Sequence, residues 1–322
     1  MKPSVVIVSP ANAKANNGNW HTAARWARFL SRDYAVNVVQ QWTVKDASKA
    51  KLPDVMLALH ARRSAESMAQ FRQVRVEGGL ILALTGTDVY GDIHTDEAAQ
   101  RSLQLADRLV LLQPNAIFEL PEAMRDKCHT IFQSATTLTP GKRSSRHFNI
   151  VQVGHLRFEK DPFTPITALR LLPTESRIRL IQIGTALDAH HADTMAVVLQ
   201  HEPRLQWLGG LSRAQTRQHI KCAHLLVIAS KMEGGANVIV EAITAGTPVI
   251  ASKISGNVGM LGENYPGYFA FGDAPACADL MQRAETNWRF MKQLTVACAR
   301  RAKLFAPERE AAHIRAVVKR LT

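Results

Sequence analysis

Ten short apolar runs, separated by stretches with helical spacing, are the feature that most limits how this chain can fold. Most of the runs, such as Val55–Leu59 and Leu225–Ala229, are continuously apolar rather than alternating. Strands buried on both faces of a parallel sheet have this pattern, and the helical stretches predict crossover connections. We therefore predict an α/β protein with doubly wound sheets. The other predicted strands are Val5–Val8, Val36–Val39, Leu80–Leu84, Leu109–Leu112, Ile150–Val153, Leu180–Ile183, Leu205–Leu208 and Pro248–Ala251.

A polar segment, TLTPGKRSSR at residues 137–146, divides these runs into two similar series. It contains Pro and Gly and is typical of a linker. We predict two Rossmann-like domains, over residues 1–140 and 148–275, followed by C-terminal helices over residues 276–322. Ligands of open α/β sheets bind at the carboxyl ends of the strands, so two such domains facing each other would form a binding cleft.

Composition narrows the classes of function. No apolar run of 18 or more residues occurs among the 322, so we expect no membrane insertion. The four cysteines show no paired spacing, which favours a reducing, cytoplasmic location. The net charge of +13 fits nucleic acid, an anionic membrane, small anionic substrates, or simply an arginine-rich surface. No zinc-finger or RNA-binding signature accompanies it, so we do not expect nucleic acid as a partner.

The segment SKMEGGANVIVEAITAGTPVIAS, at residues 230–252, combines two carboxylates with a glycine loop. We predict that Asn237 caps a helix and that Gly246 ends it. A helix N-terminus favours phosphate, whereas Glu233 and Glu241 repel phosphate and accept hydrogen bonds from hydroxyls. A nucleotide sugar, with phosphates between two polyols, satisfies both. The alternative is a capping loop with two exposed glutamates. The backbone predicted to meet the phosphates belongs to Gly234, Gly235, Ala236 and Asn237.

The same segment resembles the E-x7-E motif of the retaining GT-B glycosyltransferases of family 4. The preceding run WLGGLSRAQTRQHIKCAHLLVIAS and the following TAGTPVIAS resemble the family as well. The resemblance implies a GT-B fold, a nucleotide-sugar donor and no metal cofactor. It implies that Glu241 binds the ribose, that Glu233 contacts the donor hexose, and that Gly209 lies at the nucleotide.

Basic residues follow the first predicted strand of the second domain, in VGHLRFEKDP at residues 153–162. In the family, an arginine and a lysine at this place neutralise the diphosphate as the sugar leaves. Lys160 matches the lysine. His155 stands at the arginine position, so we expect Arg157 to take that role with His155 as a helper. The alternative is that these are exposed loop cations. The predicted catalytic residues are Lys160, Arg157 and Glu233.

Two histidines and two aspartates could instead be taken for a metal site, but we expect them at the exposed start of a helix. They are His190, His191, Asp188 and Asp193.

Polar residues also follow three predicted strands of the first domain, in NNGN at residues 16–19, LALHARR and LTGTDVY. By resemblance to the family, Gly18 lies by the donor phosphates. We expect the following helix to be capped by Asn19, to bury an apolar stripe that includes Trp26, and to expose a basic side with Arg25. Ordinary surface loops are the alternative throughout. The residues predicted to bind the acceptor are Asn17, Asn19, His60, Arg62, Arg63 and Thr87.

Four segments together, PANAKANNGNWHTAARWA, LHARRS, LTGTDVY and GHLRFEKDP, resemble the selenosugar synthases of selenoneine biosynthesis. The resemblance implies transfer of N-acetylglucosamine from UDP-N-acetylglucosamine to selenophosphate, with a carbon–selenium bond formed and UDP and phosphate released. One alternative is a family 4 O-glycosyltransferase with a UDP-sugar donor and a hydroxyl acceptor. Another is a nucleotide-sugar or nucleic-acid binding protein without catalysis. The oligomeric state is not predicted.

Overall fold

A computed structural model describes residues 2–11, 18–47 and 52–322. Within them the chain forms two sheets of six strands each, and every strand pair is parallel. The strands are β1 (Ser4–Val8), β2 (Ala35–Val39), β3 (Val55–Leu59), β4 (Gly79–Leu84), β5 (Arg108–Leu111), β6 (Cys128–Thr130), β7 (Phe148–Val153), β8 (Ile178–Ile183), β9 (Leu205–Trp207), β10 (Leu225–Ile228), β11 (Val249–Ser252) and β12 (Tyr268–Phe269).

Helices connect the strands, as crossovers between parallel strands require. Short 3₁₀ turns and one π-type turn (Asp88–Asp92) lie between them. The helices are α1 (Gly18–Leu30), α2 (Val44–Ala47), α3 (Ala65–Val74), α4 (Ile93–Thr95), α5 (Glu97–Leu105), α6 (Phe163–Leu171), α7 (Ala189–His201), α8 (Arg213–Cys222), α9 (Asn237–Thr244), α10 (Ser255–Leu261), α11 (Ala274–Thr286), α12 (Trp288–Arg301) and α13 (Pro307–Lys319).

The ten predicted strands are confirmed, with ends that shift by one or two residues. The structure adds β6 and β12, which the sequence did not indicate. They have three and two residues, too few to show an apolar pattern, and each lies at the outer edge of its sheet. The doubly wound α/β class predicted from the buried runs is therefore confirmed.

The chain divides into two compact units. Unit 1 comprises residues 1–133 and 307–322, and unit 2 comprises residues 134–306. The predicted division differs from this, because it placed α13 in a separate C-terminal region. Helix α13 packs against α1 and helps to cover one face of the first sheet. Its apolar side chains share a core there with Val110 and Ile131.

A buried polar cluster joins α1 to α13. Glu310 accepts a hydrogen bond from Arg25 Nε at 2.7 Å and from Trp26 Nε1 at 2.6 Å. Arg25 was expected on an exposed basic side of α1, and that expectation is wrong: it is 6% exposed and Glu310 is 1% exposed. The paired carboxylate explains how an arginine is accommodated in the core.

Each sheet has one topological switch point, where the order of the strands reverses. The order β2-β1-β3-β4-β5-β6 places it between β1 and β3 in unit 1. The order β12-β11-β10-β7-β8-β9 places it between β7 and β10 in unit 2. Loops diverge at such a point and leave a crevice at the carboxyl ends of the strands, where ligands of open sheets bind.

In the described part of the chain, none of the helices combines the length and the apolar character that a membrane crossing requires.

Candidate functional site

The loop between β10 and α9 brings buried backbone to the switch point of unit 2. Helix α9 begins at Asn237, and its N-cap residue is Ala236, with no side-chain cap. The prediction that Asn237 is the cap is therefore wrong by one residue. Without a capping side chain, the first N–H groups of α9 keep their hydrogen-bonding capacity for a ligand. Gly234 and Gly235 directly precede them and are buried.

The end of α9 agrees with the prediction. Gly246 follows the helix with a φ of 71°, the left-handed conformation of a C′ glycine. Its N–H donates to the carbonyl of Ile243, in the last turn of the helix. Local geometry thus ends the helix that carries Glu241 at Gly246.

Lys160 and Glu233 come together at the switch point of unit 2. Lys160 ends a 3₁₀ turn after β7, and Glu233 lies in the loop after β10. The Lys160 Nζ is 2.6 Å from Oε1 of Glu233, which also accepts from Ser230 Oγ at 2.6 Å. The side chains are 24% and 7% exposed. A cation and a carboxylate that are 73 residues apart in sequence therefore form one ion pair.

Close backbone packing fixes the Lys160–Glu233 pair in place. A Cβ on Gly256 would lie 2.0 Å from the carbonyl oxygen of Glu233, so α10 can approach the loop only with glycine at this position. Lys231 N–H donates to the carbonyl of Glu159 at 2.9 Å and ties the two loops to each other. Asp161, with a φ of 42°, turns the chain sharply into α6 after Lys160.

Glu241 is the second carboxylate of the motif, and it also pairs with a cation. It lies on α9 with a side chain 10% exposed, and its Oε1 accepts from Arg213 Nε at 2.8 Å. Arg213 is the first residue of α8, after β9. Its side chain is 35% exposed. The expectation of two exposed glutamates on a capping loop does not describe this geometry, because both motif carboxylates are buried and paired.

His155 and Arg157 follow β7 and flank the Lys160–Glu233 pair. The N–H of Thr185 donates to His155 Nδ1 at 3.3 Å. Because Nδ1 accepts, the neutral ring carries its proton on Nε2, which can then donate to a ligand. Burial, and then the positive charges of Arg157 and Lys160, lower the pKa of His155. The ring is therefore a neutral donor when the site holds no anion.

Arg157 is oriented by a neighbouring acid. Its Nε lies 3.7 Å from Oε2 of Glu159, and this buried nitrogen has no hydrogen-bond partner among the described residues.

Gly209 lies past the end of β9 with a φ of 64°, and its carbonyl accepts from Gly184 N–H at 2.8 Å. The predicted nucleotide-site glycine thus lies beside the end of β8.

In unit 1, the strand ends around the switch point are organised by a buried aspartate. Asp88 Oδ1 accepts from the N–H groups of Thr85 and Gly86, and its Oδ2 accepts from the N–H of Ala61. Asp88 is fully buried. One carboxylate thereby ties the loop after β3 to the loop after β4.

His60 is held in this loop in a conformation that is rare for residues other than glycine. Its φ is 75°, its side chain is buried, and Nε2 lies 3.1 Å from Thr87 Oγ1. Strained backbone of this kind persists where the surrounding structure forces it, and it is concentrated at functional sites. Burial lowers the pKa of His60 more than the charge of Asp88 raises it.

Two arginines continue the loop after His60, and both side chains are exposed. Arg62 Nε lies 3.1 Å from Oδ2 of Asp92, whereas no ion pair of Arg63 occurs in the described residues. The structure thus brings His60, Thr87 and Arg62 together. Of the residues before α1, Asn17 lies outside the described residues.

The start of α1 differs from its prediction. Gly18 is the first helical residue and accepts at its carbonyl from Thr22 Oγ1. Asn19 therefore lies inside the first turn, and its prediction as the N-cap is wrong.

Two residues that position the sites were not singled out from the sequence, namely Ser230 and Arg213, which hold the motif glutamates. Asp88, which holds the loops of unit 1, was predicted only as part of a polar loop after a strand. Arg213 is 28 residues from Glu241, and no local pattern links them. Asp88 follows a predicted strand end, and that position was the available signal.

The histidines and aspartates before and in α7 have a structural role. Asp188 caps α7 by accepting from the N–H of His191, and it also bonds the His191 ring at 2.8 Å. Among the described residues, no group of three or more metal-ligating side chains is assembled.

Comparisons with known proteins agree with this geometry. The family of glycosyl transferases group 1 matches residues 140–303, about half of the chain. The chain belongs to this glycosyltransferase family. A search of curated proteins found no significant match.

Solved structures show the fold over the whole chain. HepE from Anabaena in complex with UDP is 16% identical with a TM-score of 0.78, covering 99% of this chain and 100% of that one. Sucrose-phosphate synthase from Thermosynechococcus elongatus is 16% identical with a TM-score of 0.81, covering 100% and 99%. The lipopolysaccharide outer core galactosyltransferase WaaB, in its apo form, is 14% identical with a TM-score of 0.70 and full coverage of both chains. The predicted GT-B fold class is confirmed.

Proposed function

We propose that this glycosyltransferase is a selenosugar synthase that transfers N-acetylglucosamine from UDP-N-acetylglucosamine to selenophosphate. The observation that carries the donor half is the Lys160–Glu233 pair at the switch point of unit 2, beside the uncapped start of α9. Family membership and the UDP complex of HepE support a UDP-sugar donor. The sequence resemblance to selenosugar synthases supports selenophosphate as the acceptor.

Two kinds of protein group bind the two chemical parts of the donor: cations and N–H groups bind its diphosphate, and carboxylates bind its sugars. Lys160, with Arg157 and His155, neutralises the diphosphate, and the α9 N–H groups donate to it. Glu233 orients the hexose. Its two hydrogen bonds in the described chain both end on Oε1, so Oε2 is available to a sugar hydroxyl.

The ribose is assigned to Glu241 by the same reasoning. Arg213 occupies its Oε1 and leaves Oε2 for a hydroxyl. The ion pair with Arg213 offsets part of the cost of burying the Glu241 carboxylate and orders it for the ligand. Gly209 completes the proposed donor site of unit 2.

The acceptor half rests on the charges of unit 1. Selenophosphate is a small, multiply charged anion that needs cations and N–H donors. Arg62, Arg63 and His60 supply these, with Thr87 holding the imidazole of His60. The proposal extends to Asn17 and Asn19 before and in the first turn of α1.

The reaction needs little base catalysis, because a selenium anion is already a strong nucleophile. A selenium lone pair attacks C1 of the hexose, and the bond between C1 and the diphosphate oxygen breaks. The electron pair leaves with UDP, and the nearby cations stabilise its charge. Water then cleaves the phosphorus–selenium bond, giving phosphate and a 1-selenosugar. We place this chemistry in the cytoplasm, where selenols stay reduced, as the four free cysteines do.

One observation favours a second candidate, an O-glycosyltransferase with a hydroxyl acceptor. Asp92 lies beside His60 and Arg62 with a side chain 19% exposed. A carboxylate can accept the proton of an attacking hydroxyl, which selenophosphate does not require.

The test is UDP release from UDP-N-acetylglucosamine, measured with and without selenophosphate, with the sugar product identified by mass. We expect release that depends on selenophosphate and a product with the selenium isotope pattern. Glycerol and simple sugars serve as hydroxyl acceptors in parallel. Turnover with these, and none with selenophosphate, would overturn the acceptor assignment and leave the O-glycosyltransferase.

A further inference from the structure

We propose that unit 1 carries a second anion-binding site, in the groove between β6 and α13, that takes a small phosphorylated molecule. The groove has a volume of about 310 Å³. Strand β6 is the outermost strand of its sheet, and β4 and β5 separate it from β3, so this groove is distinct from the strand ends around His60. The proposal does not depend on the transferase reaction.

One stripe of α13 forms a wall of the groove. His313, Ala316 and Val317 line it together with Arg320, the residue that follows the helix, and their spacing of three and four residues puts them on one side. Val317 packs into the core, whereas Arg320 is exposed. The helix therefore presents a histidine and an arginine along the groove, about two turns apart.

Strand β6 forms the opposite wall and adds a second histidine. His129 is paired with Val110 of β5, so these two side chains point to the same face of the sheet. Arg108 lies two residues before Val110 and shares that face. Val110 belongs to the core that α13 covers, so His129 and Arg108 both point to the α13 side.

Two buried nitrogens on the α13 side of the sheet lack hydrogen-bond partners among the described residues. The Nε2 of His129 and the Nε of Arg108 are buried and have no hydrogen-bond partner in the described chain. Burial, and then the positive charges of Arg108 and Arg320, lower the pKa of His129. None of the described groove-lining residues is acidic. An anion in the groove would accept from the unpartnered Nε2 of His129, and the neighbouring charges of Arg108 and Arg320 would stabilise it.

Size and chemistry together define the ligand class. A volume near 300 Å³ lies at the lower end of small-molecule sites, which fits a phosphorylated metabolite better than a bare ion. The planar guanidinium of Arg320 can hold a phosphate through two parallel hydrogen bonds. His313, which also lines the groove, adds a ring nitrogen for a second polar group.

The probe for the test is inorganic phosphate, the smallest form of the recognised group. Binding is followed by titration calorimetry and by the ¹³Cε1–¹H signals of His129 and His313. The groove variant is His313→Ala/Arg320→Ala, and the matched control is Arg309→Ala/Lys319→Ala, exposed cations of the same helix that do not line the groove. Lys160→Ala removes the phosphate contact proposed in unit 2. Melting temperatures check that all variants are folded.

We expect saturable binding that shifts both histidine signals. The binding reported by these signals should weaken at least about tenfold in the groove variant and stay unchanged in the control and in Lys160→Ala, because charge-assisted bonds to phosphate in the groove are lost only in the first. Equal affinity in the groove variant and the wild type would overturn the proposal. Binding lost only in Lys160→Ala would also overturn it, since the phosphate would then occupy unit 2.

Discussion

The two units use the same architecture at their switch points and fill it with different chemistry. In unit 2, the strand ends carry two carboxylates, Glu233 and Glu241, each paired with a cation at 2.6–2.8 Å. In unit 1, the buried carboxylate of Asp88 accepts hydrogen bonds from three backbone N–H groups. What remains exposed there is the pair of arginines, Arg62 and Arg63, that follows the buried His60.

This difference teaches which ligand each site can take. The paired carboxylates of unit 2 can accept from hydroxyls while their partners attract phosphate, so that site suits a sugar nucleotide. In unit 1, Asp88 is committed to structure and Asp92 is paired with Arg62, so the proposed acceptor anion is assigned to the exposed arginines. The parallel sheets alone would not distinguish the sites, because the loops after the strands carry the chemistry.

The largest effect expected is from Lys160→Ala. We expect UDP release to slow by about 10²- to 10³-fold, the usual cost of removing one stabilising donor from a transition state. Lys160→Gln, which can still donate to Glu233, should stay folded and remain slow. Lys292→Ala removes an exposed lysine of unit 2 as the control. Near-normal turnover in Lys160→Ala, with a normal melting temperature, would contradict the assignment.

Arg213→Ala sharpens the interpretation of the paired carboxylates. Without its cation, Glu241 remains mostly buried and unpaired, and we expect UDP affinity to fall about tenfold or more. Glu241→Gln, which keeps the shape of the side chain, should weaken UDP in the same direction. Calorimetric titration with UDP measures both, and Arg300→Ala, an exposed arginine of unit 2, is the control. Unchanged affinity in both variants would remove Glu241 from the nucleotide site.

Arg63→Ala tests the contrast from the side of unit 1. Because this exposed arginine is assigned to the acceptor, the variant should raise the KM for selenophosphate about tenfold. The affinity for UDP should not change. Arg101→Ala, an exposed arginine of α5, provides the control. A loss of UDP affinity with an unchanged KM for selenophosphate would contradict the assignment of Arg63 to the acceptor and would indicate that unit 1 binds the nucleotide instead.

The smallest effect expected concerns pH. Burial, Arg157 and Lys160 lower the pKa of His155 in the free site, and a bound diphosphate raises it. Proton uptake therefore accompanies binding, and affinity for UDP-N-acetylglucosamine should fall a few-fold as pH rises from about 6 to about 8.

His155→Arg, which introduces a permanent charge, should make the affinity independent of pH over this range, and His155→Gln should do the same at lower affinity. Calorimetry in buffers of different ionisation enthalpy measures the proton uptake directly. Binding without proton uptake in the wild type would exclude this role for His155 and leave the donor site standing.

The sequence predicted the sheets well because parallel strands buried on both faces need continuous apolar runs. The end of α9 at Gly246 was predicted correctly because its signal, a glycine after the last helical residues, is local. Pairings across the chain could not be read: Glu310 neutralises Arg25 from 285 residues away and buries it. The cap of α9 was misplaced because Asn237 suits an N-cap by residue type, while the backbone places that position at Ala236.

The most direct test of the central claim is calorimetric titration of UDP into the wild-type protein, in the presence of a chelator of divalent cations. The account predicts binding at one site per chain without added metal, because Lys160 and its neighbours supply the positive charge. The affinity should fall at least about tenfold in Lys160→Ala. No binding, or binding that appears only when a divalent cation is supplied, would contradict the claim that these side chains form the diphosphate site.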